Sequence, residues 1–101
     1  MALKMKLIKH GDSADVLLDG RLDAQSAPEV EQRLLEIAER FQSVDLDLAK
    51  MDYISSAGLR AFRNFNIAMR RSGKDYKIKN VQKTIMEVFE MTGLAGLLNI
   101  R

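Results

Sequence analysis

Val44-Asp45-Leu46-Asp47-Leu48 alternates apolar and acidic residues and, after residues 49–52, runs into Tyr53-Ile54-Ser55-Ser56-Ala57-Gly58-Leu59. The alternation has the period of a half-buried strand. From Leu59 the period changes: Ala61, Phe62, Phe65, Ala68 and Met69 fall on one stripe of a helix over residues 59–72. A strand therefore hands over to a helix, and two hydroxyls, Ser55 and Ser56, sit at the junction. Serine is favoured as an N-cap because its oxygen accepts a bond from a free N–H of the first helical turn. The same place suits a phosphate, since a helix N-terminus offers unpaired donors and a partial positive charge. Ser56 is thus a cap or an acceptor for a phosphoryl group, with Ser55 a second, weaker candidate. Ala57 and Gly58 are small enough to let a large partner surface approach the backbone.

Outward from this junction the same units recur. Upstream, residues 4–9 and 14–20 read as strands around the turn composition His10-Gly11-Asp12-Ser13, close enough for an antiparallel hairpin. Residues 21–25 read as a loop. Ser26-Ala27-Pro28-Glu29 carries helix-start signals: Ser26 to cap, Pro28 in the first turn, Glu29 to complete a capping box. Ala27, Val30, Leu34, Ile37, Ala38 and Phe41 then form one apolar stripe. A helix between the second strand and residues 44–48 allows those two strands to run parallel.

Downstream, Arg60, Arg63, Ile67, Arg70 and Arg71 gather away from the core stripe of the second helix, and Gly73 is placed to end it in a left-handed conformation. Residues 76–79 alternate as a short strand. Residues 81–91 form a third helix with Val81, Ile85, Val88 and Phe89 inward, stopped by Gly93. Residues 94–100 make an apolar tail packed back as a helical turn. The order β-β-α-β-α-β-α predicts an α/β fold, a mixed sheet of about four strands with helices mainly on one face. No linker or repeat divides residues 1–101, so a single domain is expected.

Composition removes several chemistries. The chain has no cysteine, which excludes disulfides, thiolate catalysis and zinc–thiolate sites. No stretch approaches the roughly 20 apolar residues of a membrane helix, and the first residues lack a signal-peptide core; a cytoplasmic protein is expected. The six methionines are scattered, as core filler. Net charge is +2, but residues 1–52 balance at −4 and residues 53–101 at +6. Such an asymmetry steers an acidic partner to one face, or reflects a solvated basic helix.

Enzymatic readings fare poorly. The sequence has no G-x-S-x-G, P-loop or G-x-G-x-x-G pattern. Its one histidine, His10, belongs to the first turn and reads as a solvated residue, leaving a serine nucleophile without a base. Asp45 and Asp47 share one strand face as exposed carboxylates, and no His–carboxylate cluster has metal-ligand spacing. The basic half lacks the interleaved aromatics that stack bases, so no nucleic acid, metal or cofactor is expected.

Three ordered motifs resemble one family. Tyr53-Ile54-Ser55-Ser56-Ala57-Gly58-Leu59 is similar to the central motif of STAS domains, in particular the bacterial anti-sigma factor antagonists. Leu18-Asp19-Gly20-Arg21-Leu22-Asp23 with Ser26-Ala27 resembles the family's G-x-L-D-x-x-[ST]-[AS] turn, and Phe89-Glu90-Met91-Thr92-Gly93-Leu94 its C-terminal helix end. The resemblance runs from about Leu7 to Ile100. It implies a partner-switching protein without catalytic activity, one that binds an anti-sigma factor with serine kinase activity and so frees a sigma factor. The kinase phosphorylates one serine, the complex dissociates, and a serine phosphatase of the PP2C type resets it. Carried over, the acceptor is Ser56, with Ser55 standing where many members have an aspartate. The partner surface would comprise Asp23, Ser55, Ser56, Ala57, Gly58, Leu59, Arg60 and Arg63. The alternative within the family is a scaffold subunit of another complex, such as a lipid-transport assembly, in which Ser56 only caps the helix.

Overall fold

Alternation in four segments and helical periodicity in three are realised in a computed structural model, which describes residues 3–101. The elements are β1 (Leu3–His10), β2 (Ser13–Leu22), α1 (Ala27–Arg40), β3 (Ser43–Ile54), α2 (Ser56–Arg71), β4 (Asp75–Lys79), α3 (Lys83–Met91) and a closing 3₁₀ turn (Leu94–Gly96). One sheet has the order β1-β2-β3-β4, the first pair antiparallel and the other two parallel. This is the expected α/β mixed sheet. Along the strands Val16, Leu18, Val44, Leu46, Leu48, Tyr76 and Ile78 are buried. Their neighbours Asp15, Leu17, Asp45, Asp47, Lys77 and Lys79 are not, so the helices cover one face only.

Both central strands are longer than their alternation suggested. β2 runs to Leu22 and β3 to Ile54, where the sequence pattern stops at Gly20 and Leu48. The reason is a pair of register shifts, between Leu17 and Asp19 and again between Gly20 and Arg21. Each shift inserts a residue into the ladder and re-phases inside and outside, so Lys50-Met51-Asp52-Tyr53 continues the strand without continuing the period. The hairpin turn is also tighter than read. His10 is the last residue of β1 and pairs with Ser13 across Gly11-Asp12, with Gly11 at φ +62°.

Two helix starts differ from expectation. Ser26 sits before α1 with a right-handed helical backbone (φ −85°, ψ −23°) and makes no side-chain cap. Its hydroxyl turns back to the loop, 3.0 Å from both Arg21 O and Asp23 Oδ1, and accepts the Asp23 N–H. The capping box with Glu29 does not form. Asp23 takes the role instead, its Oδ1 accepting the N–H groups of Gln25 and Ser26. α3 begins at Lys83, with Val81 and Val88 half-buried, and Ala68 of α2 is half-buried as well. The tail does more than add a turn. Ile78 N–H donates to Asn99 O and Arg101 N–H to Ile78 O, so residues 99–101 cover the outer edge of β4.

Phe62, Phe65, Met69, Val30, Leu34 and Ile37 are all buried between the sheet and the helices. Phe62 meets Phe89 edge-on at 6.0 Å between ring centroids, and Phe65 meets Tyr76 at 5.2 Å. A polar knot lies beside them. The Tyr76 hydroxyl donates to Asn66 Oδ1, which also accepts Arg70 Nε–H at 3.0 Å, and it accepts the Asn99 N–H. Asn66 is 1% exposed, and these two donors stand in for water at its Oδ1. On the open sheet face charges from the two sequence halves meet, Asp45 lying 3.7 Å from Lys77 and from Lys79, while Arg60, Arg63, Arg70 and Arg71 stay exposed on α2.

Candidate functional site

At the C-terminal end of β3 the chain stays extended through Ser55 (φ −94°, ψ 172°) and turns helical at Ser56. The parallel ladder holds this point in place, Ser55 N–H donating to Leu22 O at 2.8 Å. Extended geometry one residue before the helix is what an N-cap requires, and the Ser55 hydroxyl accepts the Gly58 N–H at 3.2 Å. The cap is therefore Ser55. Ser56, which position alone made a cap or an acceptor, is the first helical residue and is exposed. The first turn of α2 contains no acidic residue, so the positive end of the helix is not neutralised there.

Gly58 is fixed by packing rather than by partner access. It is buried, and a Cβ built on it would lie 2.8 Å from Leu22 Cγ and 2.9 Å from Ile54 Cγ1. The helix start consequently sits tightly against the ends of β2 and β3. Leu59 is half-buried and Ala57 half-buried.

Around Ser56 the structure gathers residues from three elements. Asp23, directly after β2, neighbours the Ser55 turn through Leu22. Its carboxyl is held below the usual carboxylate range, chiefly by the Ser26 N–H and then the Ser26 hydroxyl; desolvation opposes them, and the Gln25 N–H and the Arg21 charge add smaller lowering effects. It is an anion at neutral pH. A shallow depression lined by Ala27, Pro28, Glu31, Ala57 and Arg60 separates the first turns of α1 and α2. Arg60 and Arg63 are both exposed. They follow Ser56 at i+4 and i+7, so one helical stripe carries the hydroxyl and two cations.

Arg21 and Tyr53 stand inside two of the sequence motifs but carry no site role there. They are register partners at the ends of β2 and β3, and the Arg21 guanidinium lies 4.2 Å above the Tyr53 ring. Tyr53 remains 40% exposed. The parallel pairing that joins them extends past the alternating segments, so no sequence period flagged the pair.

The single histidine lies far from Ser55 and Ser56. His10 pairs with Ser13, whose other neighbour is Ser43 at the start of β3, so the histidine occupies the sheet end opposite Ser56. It lies 3.2 Å from Asp15. Among the described residues no three His or carboxylate side chains could hold a metal ion together, and no helix is long and apolar enough to cross a membrane.

Known proteins resemble this chain in sequence and in fold. A family model described as "Mlab, STAS domain" matches residues 5–99. An anti-sigma-B factor antagonist of Staphylococcus epidermidis is 32% identical over 101 residues, spanning 99% of this chain and 94% of its own. The anti-sigma factor antagonist SpoIIAA in its unphosphorylated form superposes with a TM-score of 0.80 at 13% identity, over 99% of this chain and 88% of that one. The Bacillus SpoIIAA in its phosphorylated form superposes with a TM-score of 0.75 at 13% identity, over 99% of this chain and 91% of that one.

Proposed function

Because the chain belongs to the STAS domain family, we propose that it acts as an anti-sigma factor antagonist switched by phosphorylation of Ser56. In this reading the unmodified domain binds an anti-sigma factor with serine kinase activity and so frees a sigma factor in the cytoplasm. Phosphorylation of Ser56 ends the complex, and a PP2C-type phosphatase restores the starting state. The curated relatives named as antagonists support the role, and the existence of a phosphorylated form of SpoIIAA supports the chemistry.

The observation that carries the proposal is the division of labour between the two serines. Ser55 is committed to the cap, and Ser56 stands exposed one residue later. A phosphate on Ser56 adds a charge of about −1.5 to −2. It lands at a helix N-terminus whose own first turn has no acidic residue, where an anion gains roughly 0.3–1 kcal/mol. Arg60, one turn on, is spaced to pair with it. The domain therefore stays folded. A partner seated over Ser56, Ala57, Arg60, Arg63, Asp23 and the Arg21–Tyr53 pair would instead have to bury that charge. It would also lose Arg60 to the phosphate.

The test is phosphate mapping. The protein is mixed with candidate kinase partners and ATP, and the modified residue is located by mass spectrometry. Phosphate on Ser56, absent in Ser56→Ala and retained in Ser55→Ala, is the expected outcome. Ser55→Ala should instead lower stability by about 1 kcal/mol through loss of the cap. Phosphate confined to Ser55 would refute the assignment.

A further inference from the structure

The sheet has two edges, and the chain treats them differently. The β4 edge is covered by residues 99–101. Among the described residues no strand pairs with the outer side of β1. In an antiparallel ladder, pairs that exchange hydrogen bonds alternate with pairs that do not. The two-residue turn makes His10–Ser13 a bonded pair. Lys4, Lys6 and Ile8 are then bonded to β2 as well, and the N–H and C=O groups of Met5, Leu7 and Lys9 point away from the sheet. These are the groups a further strand would use.

Side chains along the edge select what that strand can be. On the helix-covered face the edge borders a trench floored by Met5, Leu7, Val16 and Ile37 and rimmed by Arg33, Glu36 and Arg40, where Leu7 remains 36% exposed. On the open face the exposed Lys4 and Lys6 project from alternate positions. A strand added here would present its own residues alternately to the apolar floor of that trench, beneath its charged rim, and to Lys4 and Lys6. A second copy of β1 fits badly, because two such strands would bring four lysines, Lys4 and Lys6 of each copy, onto one face.

We propose that the β1 edge is a second docking surface, separate from the Ser56 turn, for an extended peptide segment that alternates apolar and acidic residues. The added strand bonds to Met5, Leu7 and Lys9, sets its apolar side chains in the trench and its carboxylates against Lys4 and Lys6. The lysines that repel another basic strand then become the selective element.

Titration of the isotope-labelled protein with an alternating Val/Glu peptide tests this, read by amide hydrogen exchange and NMR shifts. The amides of Met5, Leu7 and Lys9 should gain protection, with those of Lys4, Lys6 and Ile8 already protected. A Val/Lys peptide should not bind. Lys4→Glu with Lys6→Glu should weaken the Val/Glu peptide by about tenfold. Leu7→Pro removes one outward donor and should abolish binding. Should that variant unfold, the lysine reversals still decide. Protection absent at all three amides, equal binding of the Val/Lys peptide, shifts confined to residues around Ser56, or self-association of the protein through β1 would each overturn the proposal.

Discussion

Gly58→Ala places one methyl group at the junction on which the site depends. Its Cβ would stand 2.8–2.9 Å from Leu22 Cγ, Leu22 Cδ2 and Ile54 Cγ1, where carbon contacts ordinarily settle at about 3.5–4.0 Å. Leu22 is 0% and Ile54 8% exposed, so neither can swing into solvent. Overpacking of this kind costs about 1–3 kcal/mol. Alanine returns roughly 1 kcal/mol over glycine in a helix. The net loss is about 1 kcal/mol, enough to lower the melting temperature by about 4–8 °C in a domain of this size. Thermal unfolding followed by circular dichroism measures it. Gly96→Ala is the control, since nothing lies within 4 Å of a Cβ there, and it should be neutral or stabilising. If Gly58→Ala melted at or above the wild-type temperature, the tight seating of α2 on β2 and β3 would be wrong.

Other outcomes follow from the core and its polar groups. Phe62→Ala opens a cavity beside Phe89 and should cost about 3–5 kcal/mol by chemical denaturation. Tyr76→Phe removes the hydroxyl that joins Asn66 to the Asn99 N–H, and should cost about 1–3 kcal/mol on the same assay, the backbone bonds of residues 99–101 to Ile78 staying in place. Asp23 has a lowered carboxyl pKa, so the folded state favours its ionised form. Its contribution is present above the unfolded value of about 3.9 and is lost as pH falls through the lower folded value. Stability measured from pH 7 down to acid should therefore decline less steeply for Asp23→Asn than for wild type. Arg60→Glu and Arg63→Glu should slow association with an acidic partner surface and reduce its salt dependence.

What the sequence disclosed tracks what periodicity records. Val44 to Leu48 alternates and is a strand; Phe62, Phe65 and Met69 repeat helically and are buried. Periodicity is silent where the ladder bulges, so the last turns of β2 and β3, and with them the pairing of Arg21 with Tyr53, stayed hidden. Caps were legible as residue types but not as assignments. Ser26 looked like a cap, yet its backbone was already helical and Asp23 did the work; Ser55 and Ser56 were interchangeable on paper until the extended backbone at Ser55 separated them. Charge in sequence halves maps onto space only in part, because Asp45 and Lys77 come from opposite halves and meet on one sheet face, while the α2 arginines stay exposed. The covering of β4 by residues 99–101 is a long-range pairing with no local signal.

The affinity of the kinase partner for the domain phosphorylated at Ser56, set against the unmodified domain in one titration series, bears most directly on the switch. Burying a phosphate whose charge of about −1.5 to −2 a single arginine offsets only in part costs several kcal/mol, and each 1.4 kcal/mol is about tenfold. The modified domain should therefore bind at least about a hundredfold more weakly while its circular dichroism and melting remain those of a folded protein. Equal affinity of the two forms, or loss of binding only because the phosphorylated domain unfolds, would contradict the account.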